Sequence, residues 1–532
     1  MEEPTHDNAA VTRRAGVVAV GTLSSRLLGA VRDAVIAASF AVGATDVFFV
    51  AWTIPNTLRR ILGEGAASAA FIPVFSDLKA KQGTEAARDY VARFLGTMIV
   101  ILTAVSALGV ATAPLWAALY GAGYRDDEAQ FASLVTLTQL VFPYITLAGL
   151  SALAMGTLNA MGRFAVPAFA PAMLNLSLIA APVLFVPVAL SMGLSAIAGL
   201  AIGALVGGAL QLLVQLPALG RVNMRPAPRI DFRDPAVRRS LSLMAPLLLG
   251  TGVHQVNILL SRLFASFLPQ GSQSFLYYGQ RIVEIPQGMF AVAIASAALP
   301  SLAALRSNEQ HAEAADTFRY SLRLSLFIAV PATVAIAVLA TPIVSVLFGR
   351  GAFGAHHVEQ TGRCLVWLAA GVWAVAAIHP VVRMYHAYGD TRTPVLCSAL
   401  NLACFVTCSL AFMGAHGHVA IAAASTVAAI AQLCALLLGL SRRIGPPQLG
   451  AVASSTAKHA AAAAVMGVAL WAAAPMFPWE RGGNDPGTIA GLLLLVVLGA
   501  AVYAGAAFAL RIDELQSLLS SIKRRRATSS TP

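Results

Sequence analysis

The stretch VVAVGTLSSRLLGAVRDAVIAASF (17–40) is long and apolar enough for a membrane span, yet it carries Arg26, Arg32 and Asp33 in its middle. The next such stretch, FFVAWTIPNTLRRILGEGAASAAFIPVF (48–75), holds Arg59, Arg60 and Glu64 beside Pro55. Ionisable groups at membrane depth are costly, so they face a protein-lined or watery cavity and mark a pathway. Two arginine-bearing spans in succession therefore point to a cation-rich cavity inside a membrane protein, suited to an anion.

The rest of the chain agrees with that class. Its 532 residues are 58% hydrophobic and only 11% charged, with mean hydropathy +0.74. A soluble protein would be nearer a quarter charged. Continuous Ala/Leu/Val-rich runs predict an all-α polytopic fold of about fourteen spans. They lack the short alternating strands of a β-barrel. The polar N-terminus, MEEPTHDNAAVTRR (1–14), is a poor signal peptide and is expected to be retained. The five cysteines have no histidine partners at ligand spacing and read as small core residues.

The net charge of +12 is divided among short loops, as the positive-inside rule requires, rather than gathered for nucleic acid. Arg13 and Arg14, Lys79, Lys81 and Arg88, Arg163, the cluster Arg221–Arg239, Arg392, and the tail Lys523–Arg526 fall on one side. That asymmetry predicts both termini in the cytoplasm.

The chain also repeats itself. Ala38-Ser39-Phe40 recurs as Ala265-Ser266-Phe267, Ile72-Pro73 as Leu299-Pro300, and Ala160-x-Gly162 with Pro167 as Ala387-x-Gly389 with Pro394, each 227 residues on. APLWAALYGAG (113–123) matches TPIVSVLFGRG (341–351) at 228. The spacing covers about six spans, an even number, so both copies keep one orientation. The expected plan is a six-helix N-lobe (15–219), a basic linker (220–236) and a six-helix C-lobe (237–441), in parallel pseudo-twofold repeat. Two extra helices (455–511) and a basic cytoplasmic tail (512–532) follow.

Within the first span, Arg26 and Asp33 share a helix face and Arg32 points about 120° away. Arg60 and Glu64 stand at i, i+4 and can pair, leaving Arg59 the freer ligand. Pro55 removes the hydrogen bond to the Ala51 carbonyl and is expected to kink the helix. In the second lobe YYGQRIVEIPQG places Arg281 and Glu284 at i, i+3, just before Pro286. Arg262, with His254 and Asn257, and Arg383, with His379 and His386, are further deep or interfacial groups. A guanidinium fork suits diphosphate, so arginines from both lobes read as a site for a pyrophosphate-linked lipid. No P-loop, catalytic triad or HExxH motif is present, which argues against an enzyme and gives no catalytic residue, metal site or resident cofactor.

SRLLGAVRDAVIAASF (25–40), TDVFFVAWTIPNTLRRILGEGAASAAFIPVF (45–75), FPYITLAGLSALAMGTLNAMGRFAVPAFAPAMLN (142–175), LFASFLPQGSQSFLYYGQRIVEIPQG (263–288) and GDTRTP (389–394) resemble the MurJ (MviN) family of lipid II flippases. That family lies within the multidrug/oligosaccharidyl-lipid/polysaccharide exporter superfamily. The resemblance implies alternating-access transfer of the undecaprenyl-diphosphate-linked peptidoglycan precursor across the bacterial inner membrane, in support of cell-wall synthesis and cell shape. It also implies substrate binding by Arg26, Arg32, Arg59 or Arg60, and Arg281. Support or gating falls to Asp33, Asp46, Glu64, Glu284, Pro55 and Pro286, and the extra helices form a groove for the lipid tail. Gln280 stands where the family often has an acid. Drive by membrane potential is favoured over cation coupling, because deep acids besides Glu284 are few in the second lobe. The implied partners are lipid II, membrane lipids and cell-wall synthesis proteins. Rival readings are a flippase for another polyprenyl-diphosphate glycan of O-antigen type, or a non-transporting scaffold for wall synthesis.

Overall fold

The computed structural model describes residues 5–59, 68–225, 227–250, 252–287, 311–444 and 449–517. The chain packs into two compact units, 1–273 and 274–532. Among the described residues there is no β-strand.

The first unit contains α1 (Thr5–Ser39), α2 (Val42–Arg59), α3 (Ser68–Ala111), α4 (Ala113–Tyr120), α5 (Glu128–Val141) and α6 (Tyr144–Ala160). It continues through α7 (Ala165–Ser191), α8 (Ala198–Leu213), α9 (Leu216–Arg221), α10 (Pro235–Gly250) and α11 (Gly252–Ser266). Helix α3 is a hairpin. Gly83 breaks it at φ 88°, and Phe71 stacks on Phe94 at 5.4 Å between ring centroids. In one straight helix those residues would stand about 34 Å apart. Phe71, Phe75, Phe94 and Met98 of the hairpin and Ile145, Leu153 and Leu158 of α6 form the core.

Helices α7 and α8 meet through small residues, which let membrane helices approach closely. A Cβ on Gly207 would stand 2.9 Å from the Leu174 Cα, and one on Gly203 would stand 3.2 Å from the Ala181 Cβ. We expect Gly207→Leu to force the pair apart at about 1–3 kcal/mol and to lower the melting temperature in detergent. Gly505→Leu, facing open space, should leave it unchanged; equal melting of the two variants would contradict this packing.

The basic linker 220–236 is bonded to α3. The Arg229 N–H donates to the Ala92 carbonyl at 2.9 Å, Arg93 pairs with both Asp89 and Asp234, and the Tyr90 hydroxyl meets Ser240 Oγ at 2.6 Å.

The second unit holds α12 (Ser272–Pro286, its first two residues in the first unit), α13 (His311–Val338), α14 (Ala340–Phe348), α15 (Ala355–Ala370) and α16 (Val372–Ala387). After these come α17 (Arg392–His416), α18 (His418–Ile444), α19 (Leu449–Ala473) and α20 (Pro486–Ala509). One core gathers α13, α16 and α18 around Phe318, Val381 and Leu436. Another seats α19 and α20 on α13 through Phe327, Leu470 and Leu495.

The repeat reappears in the helix boundaries. The ends of α3 and α13 (Ala111, Val338), the starts of α5 and α15 (Glu128, Ala355), the ends of α6 and α16 (Ala160, Ala387) and the starts of α7 and α17 (Ala165, Arg392) are each 227 apart. Gly162 and Gly389, also 227 apart, both take positive φ, 74° and 70°, the left-handed residue that ends a helix. The packing boundary falls later than the repeat boundary. Helices α10 and α11 open the second repeat, yet they sit against α3 and α4.

Among the described residues ten helices are long and apolar enough to cross a membrane, and the chain is a multi-pass membrane protein. The arginine-bearing stretches 17–40 and 48–75, read above as spans, are not among them. They carry the intramembrane charges, or include residues outside the described set.

Candidate functional site

The described charged side chains of α1 are a bonded pair, Arg32 and Asp33, and Arg26. Arg32 Nε and Nη2 donate to Asp33 Oδ1 at 2.9 and 2.6 Å, and Nη1 donates to Asn175 Oδ1 of α7 at 2.9 Å. The Asn175 amide in turn donates to the Ser25 carbonyl at 2.9 Å. Arg32 is 7% exposed and Asp33 2%. Helix geometry alone directs Arg32 away from the Asp33 face; its long side chain reaches back, and a residue 143 positions away completes the network. Arg26, by contrast, is exposed and makes no hydrogen bond or ion pair among the described residues.

At the start of α2, Asp46 is buried and its Oδ2 accepts the Gly271 N–H at 2.6 Å, fastening α2 to the turn before α12. Phe48, Trp52 and Tyr144 form an aromatic row, with Trp52 and Tyr144 4.9 Å apart. Pro55 lies buried within the helix. Arg59, at the last turn, is half-buried and donates from Nε to Asn56 Oδ1 at 3.2 Å. Arg60 and Glu64, and the pair expected between them, lie outside the described residues.

In α12 the expected i, i+3 pair is present: Arg281 Nη1 is 2.8 Å from Glu284 Oε2, with side chains 33% and 37% exposed. The guanidinium also lies 5.8 Å from the Tyr277 ring centroid, a cation–π distance. Pro286 closes the helix. Such a part-exposed pair contributes about 1 kcal/mol or less, whereas separating the buried Arg32–Asp33 pair would strand a charge. Arg262 is locked as well: it donates to the Gln273 carbonyl at 3.2 Å, and the Gln273 amide donates back to the Arg262 carbonyl at 2.6 Å. His379 and Arg383 are half-buried around the buried Pro380, while His386 is exposed. The His254 side chain lies outside the described residues. No group of three or more His, Cys, Asp or Glu able to hold a metal occurs among the described residues.

One charged cluster escaped the sequence reading. After α20 the chain turns at Arg511, φ 49°, and drives Glu514 into the unit at 1% exposure. There Glu514 accepts from Arg323 Nε of α13, from Ser455 Oγ of α19 at 3.2 Å, and meets His459 Nε2 at 3.4 Å. Arg323 Nη2 also reaches Asp513 at 3.0 Å. The only signal in the sequence was two polar groups inside spans, Arg323 and His459, and an acid just past the last span; no spacing joined them. Burial by itself raises the Glu514 pKa, but hydrogen bonds from His459 and Arg323 outweigh it and hold the carboxyl at about 2, against 4.5 ordinarily. Stability drawn from this group is therefore complete above about pH 4.5 and is lost as pH falls towards 2. We expect Glu514→Gln to melt earlier at neutral pH, by about 3–5 kcal/mol for a broken buried pair. Its melting should also change less between pH 4.5 and 2 than the parent's; parallel acid profiles would remove Glu514 from the lock.

The comparisons with known proteins cover nearly the whole chain. The family model described as "Lipid II flippase MurJ" matches residues 36–482. A probable lipid II flippase MurJ of Vibrio cholerae is 35% identical over 501 residues, 92% of this chain and 94% of that one. The lipid II flippase MurJ of Burkholderia cenocepacia is 34% identical over 491 residues, 91% and 94% of the two chains. Among solved structures, a lipid II flippase MurJ in an inward closed conformation aligns with TM-score 0.74 at 24% identity, over 93% of this chain and 98% of that one. An inward-facing multidrug resistance MATE family transporter of the MOP superfamily aligns at 0.62 and 13% identity, over 80% and 95%. These two structures share the fold.

Proposed function

The chain belongs to the lipid II flippase MurJ family, and we propose that it carries the undecaprenyl-diphosphate-linked peptidoglycan precursor from the inner to the outer leaflet of the bacterial inner membrane. It is a transporter rather than an enzyme. The observation that carries the reading is a match to lipid II flippases over 91–92% of this chain, whose expected membrane spans carry arginines.

Arg26, Arg59, Arg60 and Arg281 bind the diphosphate, whose oxygens match the guanidinium fork. Arg32 joins them only by surrendering Asn175, so its main part is to hold α1 against α7. Asp33 fixes Arg32, Asp46 fastens the α2 end, Glu64 and Glu284 occupy arginines while no substrate is bound, and Pro55 and Pro286 are the bending points. The site opens to one face of the membrane and then the other. The prenyl tail stays in lipid along α19 and α20, whose outer faces expose Val468, Trp471, Leu493 and Val497. Both termini lie in the cytoplasm by the distribution of loop cations. The membrane potential drives the cycle, each charge gaining about 2.3 kcal/mol per 100 mV. Cell-wall synthesis proteins are expected partners on the outer side, where the product is consumed.

Proteoliposomes test the cargo. With fluorescent lipid II in both leaflets, the protein should speed transfer far above protein-free vesicles, and an undecaprenyl-diphosphate O-antigen unit should move slowly. Equal rates for both glycans would leave the diphosphate reading intact and remove peptidoglycan specificity.

A further inference from the structure

The first unit contains an apolar cavity of about 230 Å³ between α3, α6 and the α8–α9 segment, lined by Phe71, Phe94, Leu153, Leu219, Met224 and Pro228 among others. It is separate from the arginines assigned to transport. One wall is the linker, and that wall is fixed: the Arg229 N–H is bonded to the Ala92 carbonyl at 2.9 Å, and a Cβ on Gly96 would stand 2.3 Å from the Arg229 carbonyl oxygen. The space is therefore built into the fold. Empty apolar volume is destabilising in proportion to its size, and water gains little where it finds no polar partners.

Charge stands close to this lining along the chain. Leu219 and Met224 bracket Arg221, and Arg225 follows directly; both arginines are exposed and make no ion pair or hydrogen bond among the described residues. The Arg225 Nε lies 3.6 Å from where a Gly220 Cβ would stand, folded back over α9. An apolar slot beside unpaired cations at the end of membrane helices matches a chain-bearing anion.

We propose that this cavity binds one acyl chain of an anionic phospholipid, with Arg221 and Arg225 on its phosphate. At about 30 Å³ per small group, the volume takes seven or eight methylenes, the outer half of an ordinary acyl chain. The lipid belongs to the leaflet on the cation-rich side, the cytoplasmic one on the orientation proposed above. Because the linker forms one wall, the bound lipid stiffens the segment that joins the two repeats.

Photolabelling of the purified full-length protein tests this without reference to transport. Phosphatidylglycerol with a diazirine near the chain terminus should label peptides containing Leu153 or Leu219–Met224 at least tenfold more than the phosphatidylcholine analogue. Ala154→Trp, which fills the cavity, should abolish that labelling. Arg221→Gln with Arg225→Gln should bring the ratio of the two lipids near one, and these exposed positions leave folding intact if Ala154→Trp does not. Equal labelling by both lipids in the parent protein, or full labelling in a normally melting Ala154→Trp protein, overturns the proposal. So does displacement of the probe by equimolar undecaprenyl phosphate, which would assign the cavity to the prenyl chain.

Discussion

Arg281→Ala is expected to reduce lipid II transfer in proteoliposomes by at least about thirtyfold, with normal insertion and melting. The guanidinium is a third exposed, and its contacts include Glu284 at 2.8 Å and the Tyr277 ring. Removing it therefore costs the fold about 1 kcal/mol or less. Its proposed contact with diphosphate is a charge-assisted one in a confined site, where losing one partner costs about 2–5 kcal/mol. Arg281→Lys keeps the charge without the fork and should fall between. Glu284→Ala should leave transfer within a few-fold of the parent, because Glu284 competes with the substrate. A transfer rate within twofold of the parent for Arg281→Ala would remove this arginine from the site.

The opposite pattern is expected at Asp33. Asp33→Ala should destabilise the protein by about 3–5 kcal/mol, because it leaves Arg32 at 7% exposure without its carboxylate and the two hydrogen bonds to it. Poor accumulation and a markedly lower melting temperature should follow before any transport defect can be read. The double variant Arg32→Met, Asp33→Leu should recover most of the melting temperature, since apolar replacement of a whole buried pair is often neutral. Asn175→Ala should be milder, about 1–3 kcal/mol, as one unsatisfied buried donor. If Asp33→Ala melts within a degree or two of the parent, the Arg32–Asp33–Asn175 network is not what joins α1 to α7.

These contrasts show which parts of the site are legible in a sequence. Arg281 and Glu284 are three apart on one helix, and their pairing follows from local geometry. For Arg32 local geometry gives only the face from which the side chain leaves the helix; its length and the distant Asn175 decide where the guanidinium sits. Asp46 binds a backbone N–H at Gly271, and a backbone donor carries no residue identity to search for; only the family resemblance pointed to that acid. The fold was more readable. The 227-residue repeat of short motifs reappears as a 227-residue repeat of helix ends, since glycines and prolines mark both. The bonds of the linker to α3, through Asp234 and the Arg229 backbone, join residues about 140 positions apart, and no spacing in the sequence announces them.

The central claim is best tested in cells that have no second flippase. Depletion of the protein should lower the lipid II accessible on the outer leaflet while total lipid II rises, and wild type should restore it where equally expressed Arg281→Ala does not. Unchanged outer-leaflet lipid II after depletion would contradict the account.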